Sequence, residues 1–174
     1  VATNLKSLAK DTAIYGVSSI FGRFLNYLLV PLYTATLSAA SGGYGVITNL
    51  YAWTALLLVI LTYGMETTFF RFANKADEDA EKVYSTTLVS VGATALMFVA
   101  AVVGFLPGIS SALGYADHQS WVVSMAIIVA LDAFQAIPFA YLRYKKQPIK
   151  FAGLKLAFIF INILLNLLYF LILP

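Results

Sequence analysis

The feature that most constrains this chain is a succession of five apolar stretches separated by short polar connections. They run over residues 12–37, 45–70, 83–107, 120–142 and 150–173. Each is longer than the roughly 20 residues that an α-helix needs to cross the hydrocarbon core of a bilayer. Because lipid offers the backbone no hydrogen-bonding partner, helices are the structure that such stretches adopt in a membrane. The sequence therefore predicts an all-α, polytopic transmembrane bundle of five membrane-spanning helices.

Composition agrees with a membrane protein and excludes several classes of function. Hydrophobic residues make up 61% of the 174 residues and charged residues 11%, which leaves too little polar surface for a water-soluble globule. The net charge of +3 does not indicate nucleic-acid binding, because the basic residues follow the ends of the apolar stretches. Without Cys, and with the single His118 in a polar turn, we expect no metal site. No ATPase or hydrolase motif is present, so we expect neither catalytic residues nor a cofactor.

The distribution of Lys and Arg predicts the orientation of the chain. Of the 11 basic residues, all but Arg23 lie at the ends of apolar stretches. They form three clusters: Lys6 and Lys10; Arg71, Lys75 and Lys82; Arg143, Lys145, Lys146, Lys150 and Lys155. Since cytoplasmic loops carry the excess of Lys and Arg, the N-terminus and the loops at 71–82 and 143–150 are predicted to be cytoplasmic. The acids between Asp77 and Glu81 are interpreted as a solvated surface of the first of these loops.

Three stretches carry a polar residue at the same predicted depth. At about 1.5 Å per residue, Arg23 lies about 16 Å, Asp132 about 15 Å and Asn162 about 18 Å from the cytoplasmic end of its helix. An isolated charge at that depth costs at least about 2.5 kcal/mol on insertion scales, so these side chains should face protein or water. Helical spacing of three places Asn26 beside Arg23 and Gln135 beside Asp132.

Two interpretations of these buried charges remain open. Arg23 and Asp132 either form a structural ion pair that fixes helix packing, or line a cavity that contacts a charged substrate. A guanidinium in such a cavity would suit a phosphate, which it binds in a bidentate manner. Glu66, one turn from Thr62 in the second stretch, either pairs with Arg71 or Arg23 or carries a coupling ion. In the fifth stretch, Asn162 and Asn166 are either interhelical contacts or ligands.

Three stretches of the sequence together resemble a known family. They are YGVSSIFGRFLNYLLVPLY at Tyr15–Tyr33, YGMETTFFRF at Tyr63–Phe72 and DAFQAIPFAYLR at Asp132–Arg143. They are similar to the polysaccharide biosynthesis, or lipid-linked oligosaccharide (O-antigen type), flippase family. That family belongs to the superfamily of multidrug, oligosaccharidyl-lipid and polysaccharide exporters.

The resemblance implies translocation of an undecaprenyl-pyrophosphate-linked oligosaccharide across the bacterial inner membrane. Substrate contacts would then come from Arg23, Asn26, Asp132 and Gln135, whereas Glu66 and Arg71 would supply coupling or cavity charge. Family members have two pseudo-symmetric halves with the site between them, so residues 1–174 are expected to form a single, incomplete N-terminal transmembrane lobe. Its expected partners are the lipid-linked oligosaccharide, the bilayer and the remaining helices of the transporter, but no nucleic acid.

Two other functions remain open at the level of the sequence. One is a cation-coupled multidrug antiporter of the same superfamily, in which Asp132 or Glu66 binds Na⁺ or H⁺. The other is a small membrane scaffold without transport activity, in which the polar stripes are helix–helix contacts.

Overall fold

The computed structural model describes residues 5–27, 29–36 and 43–172, and in these ranges the chain is helical apart from short connections. The helices are α1 (Leu5–Tyr27), α2 (Val30–Thr36), α3 (Gly43–Thr62), α4 (Met65–Ala73), α5 (Ala80–Gly104), α6 (Leu106–Ala112), α7 (Gln119–Tyr144) and α8 (Pro148–Ile172). A 3₁₀ turn over Ala116–His118 precedes α7. The all-α prediction is confirmed for the described residues.

Four helical segments are long and apolar enough to cross a membrane. They are Gly43–Ala73, Ala80–Gly104, Ala116–Tyr144 and Pro148–Leu168, and they correspond to the second to fifth predicted stretches. The first predicted stretch, residues 12–37, is not among them. It is divided between α1, which ends at Tyr27, and α2, which begins at Val30. The α1 helix also carries Lys10, Asp11 and Arg23, which lower its hydropathy. The first stretch is thus not supported as a membrane-spanning helix by length and composition, and the total of five crossings stays a prediction.

The second predicted stretch is not a continuous helix. The α3 helix ends at Thr62 and α4 begins at Met65. Between them, Tyr63 and Gly64 have φ values of 29° and 73°. Glycine adopts this left-handed conformation at little cost, and it commonly ends helices for that reason. The expectation that Thr62 and Glu66 lie one turn apart on a single helix is therefore wrong.

The connection between the third and fourth stretches also differs from the expectation. The third stretch was expected to reach Pro107, but α5 ends at Gly104 and Pro107 lies in the first turn of α6. Proline is favoured there because the first N–H groups of a helix have no intrahelical partner. The predicted turn at 108–119 thus contains most of a short helix and a 3₁₀ turn.

The chain divides into two compact units, one formed by Val1–Ile47 with Leu142–Pro174 and the other by Thr48–Tyr141. We call them the terminal unit and the central unit. The prediction of a single transmembrane domain is not tested by this division and stays a prediction.

The central unit has an apolar core between three helices. Its buried members come from α3, α5 and α7: Leu61, Val91, Ala95, Met125, Val129, Ala133 and Ile137. The four residues from α7 recur at intervals of four, which places them on one face of the helix. The α4 helix packs against α5 and buries Phe69 completely.

In the terminal unit, α1 packs along α8. The rings of Tyr15 and Phe151 meet edge to face with their centroids 5.0 Å apart. Further along, the Tyr33 hydroxyl of α2 donates a hydrogen bond of 2.7 Å to Oδ1 of Asn166 in α8. Since residue numbers increase together along this contact, α1 and α2 run parallel to α8, and α1 and α8 begin at the same end of the unit.

Candidate functional site

Asp132 and Gln135 form a polar pair within the apolar α7 helix. Nε2 of Gln135 donates a hydrogen bond of 2.6 Å to Oδ1 of Asp132. Both side chains are half-buried, and they lie beside the buried stripe that includes Val129 and Ala133. The predicted common face of the two residues is therefore confirmed. Because the Gln135 amide donates this hydrogen bond to the Asp132 carboxylate, the free-energy cost of placing the carboxylate in an apolar environment is lower.

The helix that carries this pair continues through Pro138. The α7 helix runs from Gln119 to Tyr144 with this proline inside it. Proline lacks an N–H, so the carbonyl of Phe134 loses its usual intrahelical donor, one residue before Gln135. A carbonyl and a carboxylate thus lie within one turn of each other on an otherwise apolar helix. Both are oxygen acceptors, and such groups suit a cation or a hydroxylated ligand.

Arg23 and Asn26 lie on the α1 backbone, three residues apart in the helix. Their side chains are outside the described part of the structure. They belong to the terminal unit, whereas Asp132 and Gln135 belong to the central unit. The ion pair between Arg23 and Asp132 and the alternative cavity lining therefore both stay open interpretations.

Glu66 and Arg71 occupy the first and last turns of α4. Five residues of α-helix turn the chain by about 140° beyond a full revolution, so the two side chains leave different sides of the helix. Glu66 is half-buried and Arg71 is exposed. This geometry disfavours the interpretation that Glu66 pairs with Arg71. An acid in the first turn and a base in the last turn each complement the dipole of α4.

A cluster at the start of α5 was missed by the sequence reasoning. The Tyr141 hydroxyl of α7 donates a hydrogen bond of 2.5 Å to Oε1 of Glu81. The Tyr141 ring lies 4.2 Å from that of Tyr84 and 6.2 Å from that of Phe69, centroid to centroid. Glu81 is thus bound to α7 rather than serving only as a solvated loop acid. No local signal predicts this, because 60 residues separate the hydrogen-bonded partners.

The two asparagines of α8 have different surroundings. Asn166 accepts the hydrogen bond from Tyr33, and its Nδ2 donates to the Asn162 carbonyl at 2.8 Å. This arrangement favours the interpretation of Asn166 as an interhelical contact. Asn162 is exposed. Its Oδ1 accepts a longer hydrogen bond of 3.3 Å from Nδ2 of Asn166, so the two asparagines interact with each other along α8.

Comparisons of the chain with protein-family models, curated proteins and solved structures found no match. The polar pair in α7 and the resemblance of the three sequence stretches are therefore the basis on which a function is proposed.

Proposed function

We propose that this chain is part of a transporter that moves undecaprenyl-pyrophosphate-linked oligosaccharide across the bacterial inner membrane for polysaccharide biosynthesis. The observation that carries the proposal is the Asp132–Gln135 pair, a hydrogen-bonded, half-buried polar site on an apolar helix. This pair opens one of the three stretches that resemble the flippase family. Polar residues within transmembrane segments usually mark substrate or ion pathways.

In this proposal the chain crosses the membrane several times with its N-terminus in the cytoplasm. Arg23 binds the pyrophosphate, because guanidinium matches phosphate oxygens in a bidentate manner. Asn26, Asp132 and Gln135 bind hydroxyl groups of the sugar, and Glu66 and Arg71 supply coupling or cavity charge. The remaining helices of the transporter are the expected partners of this chain. The chain is a transporter rather than an enzyme.

The decisive experiment replaces Arg23 with Ala and with Lys in the full transporter. Loss of a charged hydrogen bond costs about 1.5–3 kcal/mol, which corresponds to a decrease in export of roughly 10- to 150-fold. The Lys variant should recover part of the export, since it keeps the charge but not the bidentate geometry. Export is measured as lipid-linked sugar that reaches the outer leaflet, and membrane insertion is measured separately.

The matched control is Lys75→Gln, which removes an exposed basic residue from the loop after α4. Export should be unchanged in this control. Full export by inserted Arg23→Ala protein would remove Arg23 from the mechanism and would contradict the proposed handling of pyrophosphate.

A second candidate is a cation-coupled multidrug antiporter, and the carboxylate of Asp132 is the observation that favours it. In that case Asp132 binds Na⁺ or H⁺, so Asp132→Asn should abolish cation-driven dye efflux. Dye efflux that depends on Asp132 and is insensitive to lipid-linked sugar would replace the flippase proposal with this one.

A further inference from the structure

The terminal unit contains a groove whose walls include neither Asp132 nor Gln135. The groove has a volume of about 340 Å³ and is a shallow depression, largely open to its surroundings. Four residues of α1 and two of α8 form its walls: Ala13, Ile14, Val17, Ser18, Ala152 and Leu156. We call it the α1–α8 groove.

The surface that the groove presents is apolar. The single hydroxyl in its walls, that of Ser18, donates a hydrogen bond of 3.1 Å to the Tyr15 carbonyl. Its hydrogen-bonding capacity is thus directed at the α1 backbone. The small side chains of Ala13 and Ala152 leave the space between the two helices. A hydrocarbon chain suits such a surface, whereas a polar ligand would find nothing to bind.

The groove begins at the basic end of the terminal unit. The α1 and α8 helices start at the same end, as the contacts of Tyr15 with Phe151 and of Tyr33 with Asn166 show together. Lys10 lies one turn before Ala13, and Lys150 lies two residues before Ala152. Both lysines are exposed. The apolar α1–α8 groove therefore extends along the helices from an end that carries two positively charged lysines.

The charges of the two units differ in sign. The terminal unit has Asp11 as its sole acid and eight basic residues: Lys6, Lys10, Arg23, Arg143, Lys145, Lys146, Lys150 and Lys155. The central unit has three basic residues, Arg71, Lys75 and Lys82, and seven acids: Glu66, Asp77, Glu78, Asp79, Glu81, Asp117 and Asp132. The net formal charges are +7 and −4. A ligand of complementary charge for the terminal unit is therefore an anion.

We propose that the α1–α8 groove binds one hydrocarbon chain of an anionic membrane phospholipid whose phosphate is held by Lys10 and Lys150. A lipid supplies negative charge at the membrane surface and an apolar chain beneath it, in the order in which the lysines and the groove occur. A second copy of the chain fits less well, because it would bring two units of charge +7 together. The inference requires the chain to lie in a bilayer, but not to transport a lipid-linked sugar.

The test uses the full chain in lipid nanodiscs without lipid-linked sugar. The nanodiscs contain either phosphatidylglycerol or phosphatidylcholine with a photoreactive group midway along one chain. After irradiation, lipid adducts are mapped by mass spectrometry of peptides. Phosphatidylglycerol should label residues 13–18 and 152–156 at least fivefold more than phosphatidylcholine does. Equal labelling by the two lipids would overturn the proposal, as would crosslinks from the groove to a second copy of the chain.

Two sets of variants separate the headgroup from the chain. The double variant Lys10→Gln with Lys150→Gln should lower phosphatidylglycerol labelling of the groove at least threefold, while Lys75→Gln with Lys82→Gln should leave it unchanged. Val17→Trp should block the groove, and Val89→Trp, at an equally exposed position in α5, is its control. All four positions changed to Gln are exposed, so these variants should fold. Groove labelling that survives both the double Gln variant and Val17→Trp would show unspecific contact with lipid and overturn the proposal.

Discussion

The helices α7 and α8 have almost equal mean hydropathy, but they are packed very differently. Of the most apolar 18 residues in each segment, 39% are buried in the segment with α7 and 6% in the segment with α8. On α7, three alanines at intervals of seven, Ala126, Ala133 and Ala140, are all fully buried. On α8, large side chains such as Phe158 and Phe160 are exposed. Both helices are long and apolar enough to cross a membrane, but small side chains decide which helix others can approach closely.

The contrast between packed and exposed aromatic residues allows the strongest test. Phe69 in α4 is 0% exposed, whereas Phe160 in α8 is 67% exposed. Phe69→Ala should leave a cavity and lower the free energy of unfolding by about 3 kcal/mol. Phe160→Ala should change it by no more than about 0.5 kcal/mol. Titration with sodium dodecyl sulfate in mixed micelles, followed by tryptophan fluorescence, measures both. Equal costs would show that α8 is as closely packed as the central unit.

The alanines allow the reverse test, in which volume is added. Ala133 is completely buried in α7, and Ala157 is exposed on α8. Ala133→Leu should separate the helices of the central unit and lower the free energy of unfolding by about 2 kcal/mol. Ala157→Leu should have almost no effect, because its side chain extends outward. The same detergent titration applies. Tolerance of Leu at position 133 would contradict the view that this alanine sets the spacing of the core.

Sequence reasoning predicted the long helices well, because the length of an apolar stretch is itself the constraint. The fourth stretch, predicted at 120–142, is α7 at Gln119–Tyr144. The pairing of Asp132 with Gln135 was equally accessible, since a spacing of three on a helix brings side chains together. Both predictions use only local information.

What the sequence did not reveal depends on contacts that are distant along the chain or on backbone conformation. The hydrogen bond from Tyr141 to Glu81 joins α7 to α5 and leaves no local pattern. The division of the second stretch at Gly64 was missed because glycine also occurs within continuous transmembrane helices. The φ of 73° at Gly64 marks the change of backbone conformation between α3 and α4, and a hydropathy pattern contains no information on backbone dihedral angles.

Two glycines, one between α3 and α4 and one within α8, allow a further comparison in which smaller effects on stability are expected. Gly64 has a positive φ, and a Cβ there would meet nothing within 4 Å. Gly64→Ala should therefore cost only the backbone strain, about 1 kcal/mol. Gly153 lies within α8 with equally open space, so Gly153→Ala should be neutral or stabilise the helix by up to about 1 kcal/mol. Thermal unfolding followed by circular dichroism should separate the two variants. A stabilising Gly64→Ala would mean that α3 and α4 join into one helix.

The smallest expected effect concerns the hydrogen bond between α2 and α8. The Tyr33 hydroxyl of α2 donates a hydrogen bond of 2.7 Å to Oδ1 of Asn166 in α8. Hydrogen bonds between transmembrane helices average about 0.6 kcal/mol, because the unfolded chain in the membrane also finds partners. Tyr33→Phe should therefore lower the free energy of unfolding by about 0.6 kcal/mol.

A double-mutant cycle distinguishes this hydrogen bond from simple packing. Tyr33→Phe and Asn166→Ala are measured singly and together, and the coupling energy should account for most of the Tyr33→Phe effect. Tyr51→Phe removes a hydroxyl from an exposed tyrosine of α3 and serves as the control. A coupling energy of zero would mean that this hydrogen bond does not stabilise the contact between α2 and α8. A value well above about 0.6 kcal/mol would instead show that a polar contact replaces the close packing that alanines provide on α7.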